Sequence, residues 1–360
     1  MTSGTSVQLE RASTAYKREK RKKNLIIGAL ALTGLLLMLL SIGIGAAKLD
    51  FNQIINALLM VEDGKSNLII WRIRLPRIIA GMMIGYCLAV SGCVMQSCLR
   101  NPIASPSTLG ISNAAAFGAN IAIVFLGAGT YRSAATDAVT ISNPCSVTVF
   151  AFVFSLIAMG GILLLAKVKR FSPEAVVLAG VAFGSLFSAG STLIQYFADD
   201  VQVAATVFWA FGDLGRIAWR ELGILFIVMM ASSGYFMYNR WNYNALDQGE
   251  ATAKSLGVDV ERLRFLSLLL ASLITAVSVA FVGIIGFVGL IAPQMMRRVI
   301  GEDHGFLIPA AALTGGLVLL LADVLARSLI SPIVLPVGAI TSFLGSPLFL
   351  YLLLKGGKPS

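Results

Sequence analysis

Side chains able to do chemistry are scarce in this chain, and most of their spacings lead nowhere. There is one histidine, so no H-E-x-x-H zinc motif can exist. That residue, His304, sits in a polar turn with no second His or Cys beside it, and it is expected to be a solvated loop residue. Gly110-Ile111-Ser112 is followed by Asn113-Ala114, which breaks the G-x-S-x-G pattern of a nucleophile elbow. Gly64-Lys65-Ser66 looks like the end of a phosphate-binding loop, but the glycine that loop needs five residues earlier is Leu59. Cys87, Cys93 and Cys98 fall in one apolar run and Cys145 stands apart, a spacing that fits neither a metal site nor a disulfide framework. They read as small buried apolar residues, and no metal ligand set is expected. Carboxylates cluster in loops and at the ends of apolar runs; only Asp323 lies inside one, near its end. A proton relay needs carboxylates at mid-membrane depth, so neither hydrolysis nor proton coupling has an obvious site.

Three polar constellations remain. Arg72, Arg74 and Arg77 surround Leu75-Pro76 at the start of an apolar run, and Arg327 ends another. Ser185, Ser188, Thr192 and Gln195 recur at steps of 3, 4 and 3, which places them on one face of a helix. Such a face in lipid turns toward a water-filled path or toward hydrogen bonds with neighbouring helices, and both readings stay open. The third is the polar segment 239–264, in which Asp247–Leu256 reads as one short helix stopped by Gly257 in the left-handed conformation. It suits a docking element for a partner; the plainer alternative is a surface connection.

The elements that position these groups follow from composition. The chain is 57% hydrophobic and 13% charged, with mean hydropathy +0.84, well beyond soluble domains. Lipid is the solvent that absorbs this much apolar surface, and a span needs about 20 apolar residues. The runs are long and lack the alternation of a β-barrel. The expected fold is an all-α polytopic membrane protein with about ten transmembrane helices. They are placed near 25–47, 76–98, 108–126, 146–166, 175–197, 222–238, 265–282, a short eighth before Arg297, 306–326 and 336–354. Gly81/Gly85 and Gly180/Gly184 are G-x-x-x-G pairs suited to close helix packing. Residues 207–211 read as a short interfacial helix between spans five and six.

Residues 1–23 form a basic arm ahead of a single transmembrane domain, 24–360. With that arm inside, inner segments hold 19 of the 28 Lys and Arg and outer segments 9. The excess inside puts both termini in the cytoplasm. The outer arginines run against this bias, which points to use, with snorkelling anchors as the alternative. The net charge of +10 is scattered over span-flanking loops, so nucleic acid is not an expected partner.

With these residues in hand, the chain resembles the FecCD-type permeases, membrane subunits of ABC importers for iron–siderophores, haem and cobalamin. Four blocks carry the resemblance. One is Arg74-Leu75-Pro76-Arg77. Another runs from Ser91-Gly92 and Gln96 through Asn101-Pro102 and Pro106 to Leu109-Gly110-Ile111-Ser112-Asn113. Gly286 to Pro293 with Arg297-Arg298 is the third, and Leu321 to Arg327 with Leu335-Pro336-Val337-Gly338 and Gly345-Ser346-Pro347 the fourth. Where the family commonly has His, this chain has Gln294.

The resemblance implies a type II ABC importer permease fold in a bacterial cytoplasmic membrane, paired with a second copy or paralogue. Two ATPase subunits would bind ATP and Mg on the cytoplasmic side, so no cofactor is expected in this chain. An extracytoplasmic binding protein would dock on Arg74, Arg77 and Arg327. Coupling to the ATPases would fall on Gly249, Glu250, Ala251, Ser255, Leu256 and Gly257. The path would run along the pair's axis past Ser185, Ser188, Thr192 and Gln195. The cargo would be a metal chelate, first a ferric siderophore, then haem, cobalamin or an oxyanion. A secondary transporter driven by an ion gradient is the main alternative, and a lipid-modifying membrane enzyme a third class.

Overall fold

The computed structural model describes residues 3–45, 47, 49–60, 64–127, 129–131, 139–141, 143–330 and 333–355. Arg132 and Asp137, expected in the loop before the fourth span, lie outside them, as does Lys48. The described residues are helical apart from turns and one small antiparallel hairpin, in which Gly129–Tyr131 (β1) pairs with Val139–Ile141 (β2).

Helix α1 (Ser3–Gly43) merges the basic arm and the first span into one rod. At 1.5 Å per residue it is about 60 Å long, twice the hydrocarbon thickness, so the arm projects from the membrane as a continuation of the span. Lys23 pairs with Glu19 at 2.8 Å and lies 5.5 Å from the Phe306 ring centroid. Two short helices, α2 (Phe51–Leu58) and α3 (Lys65–Leu68), follow and lead into a π-helical stretch, Ile69–Arg74. Helix α4 (Leu75–Cys98) then starts with Pro76 in its first turn, where a missing N–H costs nothing.

Asn143, Ser172, Asp259 and Asp303 cap the helices that follow them, each side-chain oxygen accepting a first-turn N–H. These are α6 (Pro144–Val168), α7 (Pro173–Tyr196), α12 (Val260–Val282) and α14 (His304–Ser328). The set is completed by α5 (Ile111–Phe125), α8 (Asp200–Ala210), α9 (Trp219–Tyr238), α10 (Arg240–Asp247), α11 (Glu250–Ser255), α13 (Val288–Ile300) and α15 (Val337–Lys355). Seven described helices are long and apolar enough to cross a membrane, and α5 and α15 are shorter apolar helices. With α13 they account for the ten expected spans. At 13 residues α13 is about 20 Å long, too short to cross alone.

Helix α4 is the hub, packed against α9, α12, α13 and α14, while α5, α6 and α7 form a neighbouring group. The hub requires glycine where backbones meet. A Cβ on Gly92 would lie 1.8 Å from the Gly289 carbonyl oxygen of α13, and one on Gly85 2.3 Å from that of Gly315 in α14. The interfacial helix is longer than expected: α8 begins at Asp200, where Gln202 accepts the Asp199 N–H at 3.3 Å. The segment expected to couple to the ATPases is corrected in its boundaries too. The one short helix expected over Asp247–Leu256 starts late, at Glu250: Asp247 ends the separate helix α10, and the break falls at Gln248-Gly249, where Gly249 takes φ 124°.

Candidate functional site

Polar groups gather at three places: the start of α4 with the end of α14, which the expected orientation makes the outer end; the opposite ends of both helices, which it makes the inner end; and one face of α7.

At the outer end, Asp323 is fully buried between two arginines. Arg77 donates to its Oδ1 at 2.8 Å and Arg327 Nε lies 2.9 Å from its Oδ2. Asp213, half exposed, stands 3.3 Å from Arg77 Nη2. Arg327 also donates to Ser41 Oγ at 2.5 Å and the Ile44 carbonyl at 2.6 Å. Arg74 donates to the carbonyls of Ile42 and Ala47. Arg74, Arg77 and Arg327 are therefore buried. Docking on these three, the expected role, would have to reach side chains that the fold covers. The end of α1 and the segment after it cover Arg74 and Arg327, and the three arginines with Asp323 brace α1, α4 and α14 together. Asp323 accounts for the burial of Arg77 and Arg327, because a buried cation persists only when paired, and Arg74 is held by its two carbonyls. Lys65, Arg72 and Arg220 are outer cations that do stay exposed.

At the inner end, Gly257 takes φ 82° as expected. Gly257 N–H reaches the Lys254 carbonyl and Val258 N–H the Ala253 carbonyl, both at 3.0 Å, which makes a Schellman cap on α11. Ala253 is buried, Leu256 is 68% exposed, and Ala251 and Ser255 are exposed. Glu250 opens α11 and bridges Lys254 at 2.8 Å and Arg264 at 2.9 Å. The Lys254 hydrogen bond holds its carboxyl below the usual carboxylate range, and Arg264 adds to this.

Two residues missed by sequence reasoning fasten this segment to the core. Arg264 of α12 is 2% exposed and donates to the carbonyls of Cys98 at 2.9 Å and Phe171 at 3.3 Å as well as to Glu250. His304, expected in solvent, is fully buried. Its Nδ1 lies 2.9 Å from Asn244 Oδ1 of α10, which also accepts the His304 backbone N–H. That amide oxygen can only accept, so Nδ1 carries the proton and Nε2 accepts from the Ser97 hydroxyl at 2.7 Å. Arg297 donates to the same hydroxyl at 3.1 Å. Burial pushes the nearby Asp247 carboxyl up to about 6, Arg297 pulling it down and Glu302 adding to the rise. Gln294, in the family's usual histidine position, donates to Gln96 Oε1 at 3.2 Å and the Pro102 carbonyl at 3.0 Å. It ties α13 to the turn after α4.

On α7, Ser185, Ser188 and Thr192 are exposed and line a groove of about 540 Å³ with Ser107, Thr108 and Asn113. The structure brings these three expected path residues together and directs the fourth elsewhere: Gln195 donates to Thr206 of α8 at 3.1 Å. Groove-lining residues are uncharged, so it presents hydroxyls and an amide to whatever occupies it. The G-x-x-x-G pairs pack as expected, Gly180 against Leu109 and Gly85 against Gly315. Cys87, Cys93 and Cys98 are buried, whereas Cys145 is exposed at the start of α6.

Residues 32–355 match the FecCD transport family. A protein of Methanocaldococcus jannaschii assigned as an ABC transporter permease is 56% identical over 93% of this chain and 95% of its own length. The hemin transport system permease of Yersinia pestis is 34% identical over 92% of this chain and 96% of its own. The vitamin B12 import system permease of Escherichia coli is 35% identical over 82% and 86%. A solved inward-facing structure, assigned as a metal-chelate type ABC transporter, superposes with TM-score 0.78 at 30% identity, covering 92% of this chain and 99% of that one.

Proposed function

From the premise that the chain belongs to the FecCD transport family, we propose that it is the permease subunit of an ATP-driven importer that carries a metal chelate across the cytoplasmic membrane. The observation that carries this reading is α11. It is a short exposed helix, capped at Gly257 and fastened to the core through Glu250 and Arg264, on the face opposite the arginine cluster. A helix built so is a handle for an outside energy source, two ATPase subunits in this reading. Gly249, Glu250, Ala251, Ser255, Leu256 and Gly257 form the handle.

On the outer face the substrate-delivering protein makes first contact with the exposed Lys65, Arg72 and Arg220. Arg74, Arg77 and Arg327 lie just beneath as a net positive cluster. Charge of this kind sets docking register and on-rate more than affinity. Two copies of the chain, or this chain and a paralogue, place their α7 faces across a common axis. The groove at Ser185, Ser188 and Thr192 then borders the path. A neutral hydroxyl surface suits a bulky chelate that must pass without being held. A ferric siderophore is the cargo this reading favours.

The test is ATP-dependent uptake into proteoliposomes containing the chain and its ATPase subunits, with binding protein added, using ferrichrome, hemin and cyanocobalamin as probes. Ferrichrome uptake that needs every component is the expected result. Uptake by the chain alone, driven by an ion gradient, would overturn the importer reading. Uptake of hemin or cyanocobalamin in place of ferrichrome would reassign the cargo.

A further inference from the structure

Both helices of the coupling segment are fastened to the same place, and that place is two consecutive residues. Helix α11 is tied through Glu250 and Arg264 to the Cys98 carbonyl, at 2.9 Å in each contact. Helix α10 is tied through Asn244 and His304 to the Ser97 hydroxyl, at 2.9 and 2.7 Å. Ser97 and Cys98 are the inner end of α4. Its outer end carries Arg77, paired with Asp323. The two ends are 21 residues apart, about 31 Å of helix. Between them α4 is pressed against α13 at Gly92 and α14 at Gly85 with no room for a methyl group. Packed side chains, polar networks and rigid helices are what carry coupling over such a distance, and α4 combines all three.

We propose that α4 is the rod through which docking outside and the ATPases inside sense each other, with Arg264 and His304 as the positioning residues that hold the coupling helices to it. The proposal rests on the importer reading above. The partners of Arg264 give it a division of labour. Its Nε and Nη1 grip two backbone carbonyls, those of Cys98 at the end of α4 and Phe171 in the turn between α6 and α7. Phe171 holds φ 55°, as does its neighbour Arg170 near 49°, a left-handed conformation that persists only where surrounding contacts impose it. One guanidinium thus keeps α4, the α6–α7 turn and α11 in fixed relation. A lysine there offers a point charge and cannot span the three acceptors. His304 does the same for α10 through two ring nitrogens, with Tyr243 of α10 against its ring at 5.5 Å between centroids.

Arg264→Lys and Asn244→Ala are the variants that loosen the two ties. Glu250→Gln is the milder alternative should Arg264→Lys fold poorly, because Glu250 is half exposed. Ser155→Ala, which removes a buried hydroxyl distant from both ties, controls for general destabilisation. The first measurement uses the assembled permease–ATPase complex in nanodiscs and reads the ratio of ATP hydrolysis with and without binding protein. Coupling between sites is commonly worth 5- to 150-fold, so wild type and Ser155→Ala should show a ratio in about that range. It should fall toward one in Arg264→Lys combined with Asn244→Ala, with ATPase subunits still bound. The second measurement needs no ATPase: spin labels at Arg100 and Lys254 report the distance between the turn after α4 and α11. A narrow distribution is expected in wild type and a broad one in Arg264→Lys or Glu250→Gln. An undiminished ratio in the double variant, or an unbroadened distribution in both single ones, overturns the proposal. A wild-type complex whose hydrolysis ignores the binding protein overturns the importer reading beneath it, while the label distances still show whether the tie exists.

Discussion

Asp323 is the residue on which the outer end depends. It is buried with both oxygens facing guanidinium groups, and Asp213, the other carboxylate of the cluster, is half exposed. Removing one partner of a buried pair leaves an uncompensated charge and costs about 3–5 kcal/mol, while replacing both partners with apolar groups is often neutral. Asp323→Asn is therefore expected to lower the thermal midpoint of the purified protein sharply, and replacing Arg77, Asp323 and Arg327 together by Leu to recover most of the loss. An Asp323→Asn variant that melts with wild type would show that the arginines are not held by this carboxylate. The types and spacing of these residues were legible in the sequence; their burial was not. Arg74-Leu75-Pro76-Arg77 and Asp323 to Arg327 are 246 residues apart when counted between Arg77 and Asp323. Only the packing of α4 on α14 reveals that they neutralise each other. His304 was misread for the same reason. Its sequence neighbours Glu302 and Asp303 are polar, but Ser97 and Asn244 close over the ring from elsewhere in the chain.

At the scale of elements the sequence was most informative where lipid imposed the pattern. Long apolar runs became helices, and caps at Ser172, Asp259 and Asp303 set their starts. It was least informative in the polar segment 239–264, where no apolar period marks the start of α11 and the break before it depends on Gly249 at φ 124°. Arg264 was hidden there too, one of several charges with Glu261 and Arg262. Exposure separates the roles of neighbouring residues in α11. Leu256 is 68% exposed, so Leu256→Ala should leave the thermal midpoint unchanged and weaken ATPase binding, read as the ATPase retained on immobilised permease. Gly257 has open space around it, so Gly257→Ala meets no clash, but its left-handed backbone costs a side chain about 1–2 kcal/mol. That substitution should fray the cap and weaken ATPase binding through loss of helix order. Full ATPase retention by Leu256→Ala would place the interface elsewhere on the inner face.

At the scale of the whole molecule, the distribution of exposure bears on where the proposed second copy would sit. Helix α4 is mostly enclosed, whereas α7 is largely open, with Leu178, Val181, Leu186 and Leu193 exposed. Lipid can cover leucines, but it offers nothing to Ser185, Ser188 and Thr192, which line the groove on the same helix. A hydroxyl-bearing face in a membrane is stable against another protein surface or against water, and a path between two copies supplies both. Ser188→Cys with Cys145→Ser leaves one exposed thiol on that face, the remaining cysteines being buried. A long flexible bis-maleimide should then join two copies in membranes, and the joined pair should lose uptake because the linker lies across the path. Leu164→Cys in the same background, on the exposed face of α6, should give little joined product. Efficient joining at Leu164 with none at Ser188 would put the contact between copies on α6 and remove α7 from the path.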